Sequence, residues 1–145
     1  MPRIDFYILQ AEQNKDEFIC KLIEKAYKKR HRIYINAEDQ EMAHHFDELL
    51  WTYKDDSFLP HNLYGDGPNQ APPIQIGFKI EPNARDILIN LSSEIPSFYK
   101  NFSRVIEIVD KEPATQKISR THYKTYKSLG HEITTHKLQP TLQDA

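Results

Sequence analysis

The residues with the clearest capacity for chemistry lie in the last third of the chain. Lys117, Arg120, Lys124 and Lys127 recur at spacings of three and four. At about 100° per residue a helix gathers them into one stripe spanning about 80°, with Tyr123 flanking it beside Arg120 and Lys127. Cations next to an aromatic ring suit a short acidic peptide with an aromatic or apolar anchor, because the cations pair its carboxylates while the ring covers the anchor. Single-stranded nucleic acid is a rival ligand for the same surface. An ordinary solvated helix face carries the same charge pattern, so spacing alone identifies a surface and not its ligand. On the opposite side of this helix Ile118, His122, Thr125 and Leu129 are expected to pack against the rest of the protein.

Other candidate chemistry is incomplete. His44 and Glu48 lie four apart on one predicted helical face, but two ligands do not close a metal site, and a solvated face explains them. His31, His61, His122, His131 and His136 show no fixed metal spacing. Cys20 is the only cysteine, which excludes intrachain disulfides, and it sits on a predicted apolar helix face as a small buried residue. No serine occupies a glycine-flanked elbow. Nucleotide binding would need backbone amides at a glycine-rich turn after the first strand. That turn reads Gln10-Ala11-Glu12-Gln13-Asn14, without glycine and with an acid that repels phosphate. Gly65-Asp66-Gly67 lies in a loop before Pro68 and lacks both a third glycine and a following helix. No cofactor and no metal are expected. Trp51, Phe58, Leu59 and Pro60 lead into a polar loop; buried, they are staples, and exposed, they mark a protein interface.

These residues must be positioned by a chain of 145 residues, within the range of one domain with its own apolar core. The net charge of −2 argues against a broad electrostatic grip on nucleic acid, so any basic site is local. No apolar run approaches the roughly 18–20 residues that span a bilayer, and the N-terminus lacks a secretion-signal pattern. A reducing cytoplasm suits the lone thiol.

Period-two and period-3.6 patterns alternate along the chain. Ile4–Leu9 is expected as a buried strand, followed from about Asn14 by a helix with Phe18, Ile19, Leu22, Ile23, Ala26 and Tyr27 on one face. Asn14 and Glu17 have the spacing of a capping box, and Lys28-Lys29-Arg30 sits at the helix end where cations complement the dipole. Arg32–Ala37 is a second strand, and Met42, Phe46, Leu49 and Leu50 form the apolar face of a second helix. A long surface loop covers Lys54 to Pro73. Ile74–Ile80 alternates as a half-buried strand, Asp86–Leu91 is another, Pro96 starts a short helix through Phe102, and Arg104–Asp110 is a further strand. A last helix runs from about Ala114 to Leu129 and ends at Gly130. The order predicts one three-layer Rossmann-like α/β domain over residues 1–136, its mostly parallel sheet flanked by helices, with 137–145 as a flexible tail.

Several stretches, taken in order, resemble the chi subunit family of bacterial DNA polymerase III holoenzyme, a clamp-loader accessory. They are Phe6-Tyr7-Ile8-Leu9; Ala37-Glu38-Asp39 leading to Leu49-Leu50-Trp51; Ser57-Phe58-Leu59-Pro60-His61-Asn62-Leu63 with Gly65-Asp66-Gly67-Pro68; Arg85 to Leu91; Glu107-Ile108-Val109-Asp110; and Tyr123-Lys124 through Gly130. The resemblance implies an α/β fold like that of nucleotide-binding proteins without their activity, in a one-to-one heterodimer with the psi subunit. It also implies docking of the acidic, phenylalanine-ended C-terminal tail of single-stranded-DNA-binding protein. By position that tail site falls on Arg120, Tyr123 and Lys124, with Lys117 as neighbour. The psi-facing surface falls near Trp51, Phe58 and Leu59, where a helicase-like partner competes. The link between Pro113 and Tyr123 is shorter than the family pattern, and His131 stands where that pattern has an aromatic ring. The alternatives are direct single-stranded DNA binding by the basic helix and a small nucleotide-dependent enzyme.

Overall fold

The computed structural model describes residues 2–10, 13–53, 59–63, 72–78, 80–82 and 86–137. Within them the chain runs β1 (Arg3–Ile8), α1 (Lys15–Lys28), β2 (Ile33–Asn36), α2 (Gln40–Thr52), β3 (His61–Leu63), β4 (Ile74–Gly77), β5 (Ile87–Asn90), a 3-10 turn (Tyr99–Asn101), β6 (Arg104–Val109), α3 (Pro113–Ser128) and β7 (Ile133–Lys137). The seven strands form one sheet in the order β3-β4-β2-β5-β6-β1-β7, and every neighbouring pair is parallel. This is the expected Rossmann-like three-layer fold.

Residues in register across a parallel sheet share a face, which sorts the core into two layers. On one face Ile33, Ile35, Ile74, Ile76, Ile87 and Ile89 pack under Ile19, Cys20 and Ile23 of α1 and Ala43, Phe46 and Leu50 of α2. On the other, Ile4, Phe6, Tyr34, Leu88 and Val105 pack under Phe98, Tyr99, Phe102 and Tyr126. Strands covered on both sides read as continuous apolar runs, as Ile33-Tyr34-Ile35 and Ile87-Leu88-Ile89 do. Burial pushes the Cys20 thiol up to about 12, so it stays protonated and inert.

The helix signals act where the sequence puts them. Asn14 Oδ1 accepts from the Glu17 amide at 2.9 Å, but the Glu17 carboxylate turns to Lys21 at 3.2 Å, so only half of the capping box forms. Asp39 caps α2 through the Met42 amide.

Several expectations change. β4 is buried on both faces, not half-buried, because it lies between β2 and β3; Gln75 is tolerated there by donating to Asn62 Oδ1. The expected loop after Lys54 contains β3, a three-residue strand too short for a period to show. The helix expected through Phe102 is a single 3-10 turn, its bonds running from Tyr99 N to Pro96 O and from Phe102 N to Tyr99 O. β7 was not anticipated at all: Ile133-Thr134-Thr135-His136-Lys137 pairs along β1 with little buried surface, so its pattern carries no apolar period. Residues 138–145, the rest of the expected tail, lie outside the described residues, as do Phe58 and the Gly65-Asp66-Gly67 segment.

Gly77 ends β4 directly against the phenol of buried Tyr34, whose hydroxyl donates to the Ile80 carbonyl at 2.8 Å. A methyl group at position 77 would collide with that hydroxyl. Gly77→Ala is therefore expected to lower stability by about 1–3 kcal/mol in urea titrations. Tyr34→Phe should recover part of the loss in the double variant, because removing the oxygen relieves the collision.

Candidate functional site

The basic residues singled out from the sequence are carried by α3. Pro113 occupies its first turn, Asp110 Oδ1 accepts from the Glu112 amide just before it, and Gln116 Nε2 donates back to the Asp110 carbonyl. At the other end Gly130 takes φ 85°, and His131 N and Gly130 N donate to the carbonyls of Tyr126 and Lys127. That paired reversal is the Schellman arrangement, which a residue without Cβ adopts at least cost.

The packing face of α3 is rotated from the one expected. Ser119, His122 and Tyr126 are buried, whereas Thr125 and Leu129 are exposed. Leu129 falls beyond the helix, and the Thr125 hydroxyl donates to Thr121 O on the outer side. What pulls the helix down is polar. Gly77, Asn36, Asn90, Glu107 and Phe6 lie in register near the C-terminal ends of β4, β2, β5, β6 and β1. Buried Glu107 receives Tyr126 Oη at 2.8 Å, Asn90 Nδ2 at 3.0 Å and His122 Nδ1 at 3.1 Å. His122 Nε2 faces the Ser93 carbonyl at 2.9 Å. Both ring nitrogens of His122 thus meet groups that only accept, which selects the doubly protonated imidazolium opposite the Glu107 carboxylate. Burial opposes that charge, but the hydrogen bond and charge of Glu107 outweigh it, and the His122 pKa is raised above its ordinary 6.5. Burial, reinforced by Glu107, raises the Tyr126 phenol so that it remains a donor.

With this face fixed, Lys117, Arg120, Lys124 and Lys127 are all exposed on the outer side of α3. Among the described residues none of the four has an ion-pair partner. Tyr123 is 37% exposed and stands on the sheet, its ring edge-on to Phe6 of β1 at 5.5 Å. The helix thus brings Arg120, Tyr123 and Lys124 together, and Lys117 lies a turn below Arg120 and Thr121, whose hydroxyl donates to its carbonyl. His131 takes up an aromatic position: it is buried, edge-on to Tyr99 and Tyr126, with Nε2 at 2.6 Å from the Tyr99 hydroxyl. Burial lowers its pKa, so this ring is neutral.

The second surface separates into two parts. Trp51 is 53% exposed at the end of α2, its ring 4.4 Å from that of His61. Leu59 is instead buried in the core beneath α1 and α2, which corrects its expected place on a docking surface. The reason is local: His61 Nδ1 faces the Leu59 carbonyl at 2.6 Å and Nε2 the Asp47 carbonyl at 2.8 Å, both oxygens accepting, which ties the strand entry to α2 and turns Leu59 inward. Among the described residues no group of His, Cys, Asp and Glu could hold a metal ion, and His44 meets only Gln40 at 3.4 Å.

Fold and site together define a Rossmann-like α/β domain in which the crevice at the strand ends is filled by the protein's own hydrogen-bonded side chains, while its charged features face outward. The chain belongs to the family described as DNA polymerase III chi subunit, HolC, which it matches over residues 1–134. It is 33% identical over 141 residues to the DNA polymerase III subunit chi of Pseudomonas aeruginosa, covering 95% of this chain and 98% of that one. The chi subunit of Escherichia coli is 31% identical over 143 residues, 93% and 97% of the two chains, and that of Haemophilus influenzae 33% over 134 residues, 90% and 93%. The protein is thus a DNA replication accessory chain, a subunit of a DNA-directed DNA polymerase complex.

The His122–Glu107 pair makes stability depend on pH with a definite sign. A raised folded pKa gives a contribution that is complete below the ordinary 6.5 and is lost as pH rises through the raised value. Wild type should lose stability across that window, and Glu107→Gln should flatten the dependence and cost about 1–3 kcal/mol by leaving buried donors poorly matched. Urea titrations at several pH values, with the His122 ring followed by NMR, check both.

Proposed function

We propose that the protein is a non-catalytic bridge that joins the clamp loader of DNA polymerase III, through the psi subunit, to the C-terminal tail of single-stranded-DNA-binding protein. It would act in the bacterial cytoplasm at the replication fork. The observation that carries this reading is the outer face of α3: cations without ion-pair partners among the described residues, beside a half-exposed tyrosine ring held in place by Phe6. Arg120 and Lys124 pair the tail's terminal carboxylate and acidic side chains, Tyr123 packs on its last ring, and Lys117 extends the site toward the start of the helix. The internal bonds of Tyr126 and His122 to Glu107 favour the reading further, since a helix fixed from below presents its outer residues without an ordering cost on binding.

Trp51 supports a second contact, with psi. An exposed tryptophan at a helix end is a common anchor at protein interfaces, and a helicase-like partner would compete for the same ring. Phe58, the other aromatic in this expectation, lies outside the described residues.

Calorimetric titration of an acidic, phenylalanine-ended tail peptide tests the main reading. Arg120→Ala should weaken binding about tenfold or more, consistent with losing hydrogen bonds between charged groups, and wild-type affinity should fall as salt rises. Equal binding by wild type and Arg120→Ala sinks the proposed site. Trp51→Ala should abolish co-purification with psi and leave the peptide affinity unchanged.

A further inference from the structure

The face of the sheet opposite α3 carries two adjoining hollows. The larger, about 500 Å³, opens between α1 and the starts of β1, β5 and β6; Arg3, Lys25, Lys29 and Arg104 stand around a floor that includes Leu22, Ile87 and Ile106. The smaller, about 400 Å³, lies at the end of α1 and is lined by Lys28, Arg30 and Arg32 with Tyr27 and Pro73. His31 lines both, so the two hollows adjoin at that residue and make one basic tract of surface. Four lysines or arginines from the first and three from the second make seven of the chain's 19, in a protein whose net charge is −2.

Among the described residues, Asp5, Glu24 and Asp86 are acids near this tract, and each is already engaged. Asp5 is fully buried and receives Nε of both Arg3 and Arg104, at 3.0 and 2.7 Å, with His136 Nε2 on its other oxygen at 2.8 Å. Arg104 gives one further donor to the Tyr7 hydroxyl. Asp5 therefore orients the two guanidinium groups while leaving donors on each for a ligand. Glu24 faces Lys28 at 3.7 Å, and Asp86 faces His31 at 3.6 Å and receives the Arg32 amide.

The backbone at the junction is strained in a telling way. α1 ends in the same paired reversal as α3, with Arg30 N and His31 N donating to the carbonyls of Tyr27 and Ala26. There the left-handed position is held by Arg30 at φ 66°, where a glycine would sit without cost, as Gly130 does in α3. Stability favours glycine at this site; the arginine adds a cation at the mouth of the smaller hollow.

We propose that this tract is a second binding site, separate from the α3 surface, that takes the sugar-phosphate backbone of single-stranded DNA. Two hollows in series suit a ligand with repeated charges, forked guanidinium groups suit phosphate oxygens, and the apolar floor accommodates a sugar or base edge. Membership in a DNA polymerase subunit family places such a strand within reach. The proposal stands whether or not a peptide tail docks on α3.

The test uses the full chain and a fluorescent oligothymidylate of roughly ten nucleotides, with anisotropy read across a salt series. Lys25→Glu with Lys29→Glu changes two exposed side chains away from the α1 packing residues, and should weaken binding at least tenfold. Its salt slope should shrink by about 1.4, at roughly 0.7 per lost phosphate contact. Arg30→Gly should raise the denaturation midpoint while weakening the oligonucleotide, a split that a purely structural arginine would not give. Arg120→Glu, on the far side of the sheet, should weaken the oligonucleotide far less than the Lys25/Lys29 double variant does. No wild-type binding, an unaffected Lys25/Lys29 double variant, or a loss in Arg120→Glu as large as in that double variant would overturn the proposal. So would an oligoglutamate peptide that binds this tract more tightly than the oligonucleotide, since that would make its partner an acidic protein.

Discussion

A carboxylate buried between a sheet and a helix is costly unless every lone pair that faces the interior finds a donor, and much of this molecule is arranged around meeting that condition at Glu107. Its donors come from three places in the chain: Asn90 beside it in the sheet, and His122 and Tyr126 from α3. Asn36 in turn donates to Asn90, so the row continues into β2. Because His122 must also reach the Ser93 carbonyl, the helix can neither rotate nor slide without leaving a buried polar group unpaired. The same bonds occupy the end of the sheet where a dinucleotide-binding relative of this fold would seat its ligand. A filled crevice and a first turn without glycine are consistent features of one design.

Fixing α3 from beneath has an electrostatic consequence above. The helix meets the sheet through its polar and aromatic residues, which leaves the lysines and Arg120 on the outer side, away from the acids of the core. On the opposite side of the sheet Asp5 plays a related part for Arg3, Arg104 and His136. Burial works against its charge, but the bonds from Arg104 and His136 prevail and its pKa lies below the ordinary carboxylate value. A nearly neutral protein thereby acquires two separate basic surfaces, each organised by an internal carboxylate. Local charge of this kind affects partner choice and encounter rate in ways that the net charge does not show.

The aromatic residues divide along similar lines. Tyr34, Tyr99 and Tyr126 are core residues whose hydroxyls end on Ile80 O, His131 and Glu107, so each ring fills volume while its polar tip is satisfied. Tyr123 and Trp51 are the large aromatic side chains left substantially exposed among the described residues, and they stand on different helices, α3 and α2. Two ring-bearing surfaces on separate elements give a small domain room for two partners at once.

The sequence by itself determined whatever depends on short-range pattern. The alternation of strands and helices, the cap at Asn14, the stop at Gly130 and the outward stripe of Lys117, Arg120, Lys124 and Lys127 follow from periods and turn chemistry set within a few residues. Only the tertiary structure decided which side of α3 is buried, because the attraction comes from Glu107, whose distance in sequence hides its role from any helical period. It also turned Leu59 inward through His61, recruited Ile133–Lys137 as a seventh strand by pairing with β1, and gathered Arg3 and Arg104 beside the end of α1. Each of these rests on contacts between residues far apart in the chain, and such contacts leave no local periodicity to read.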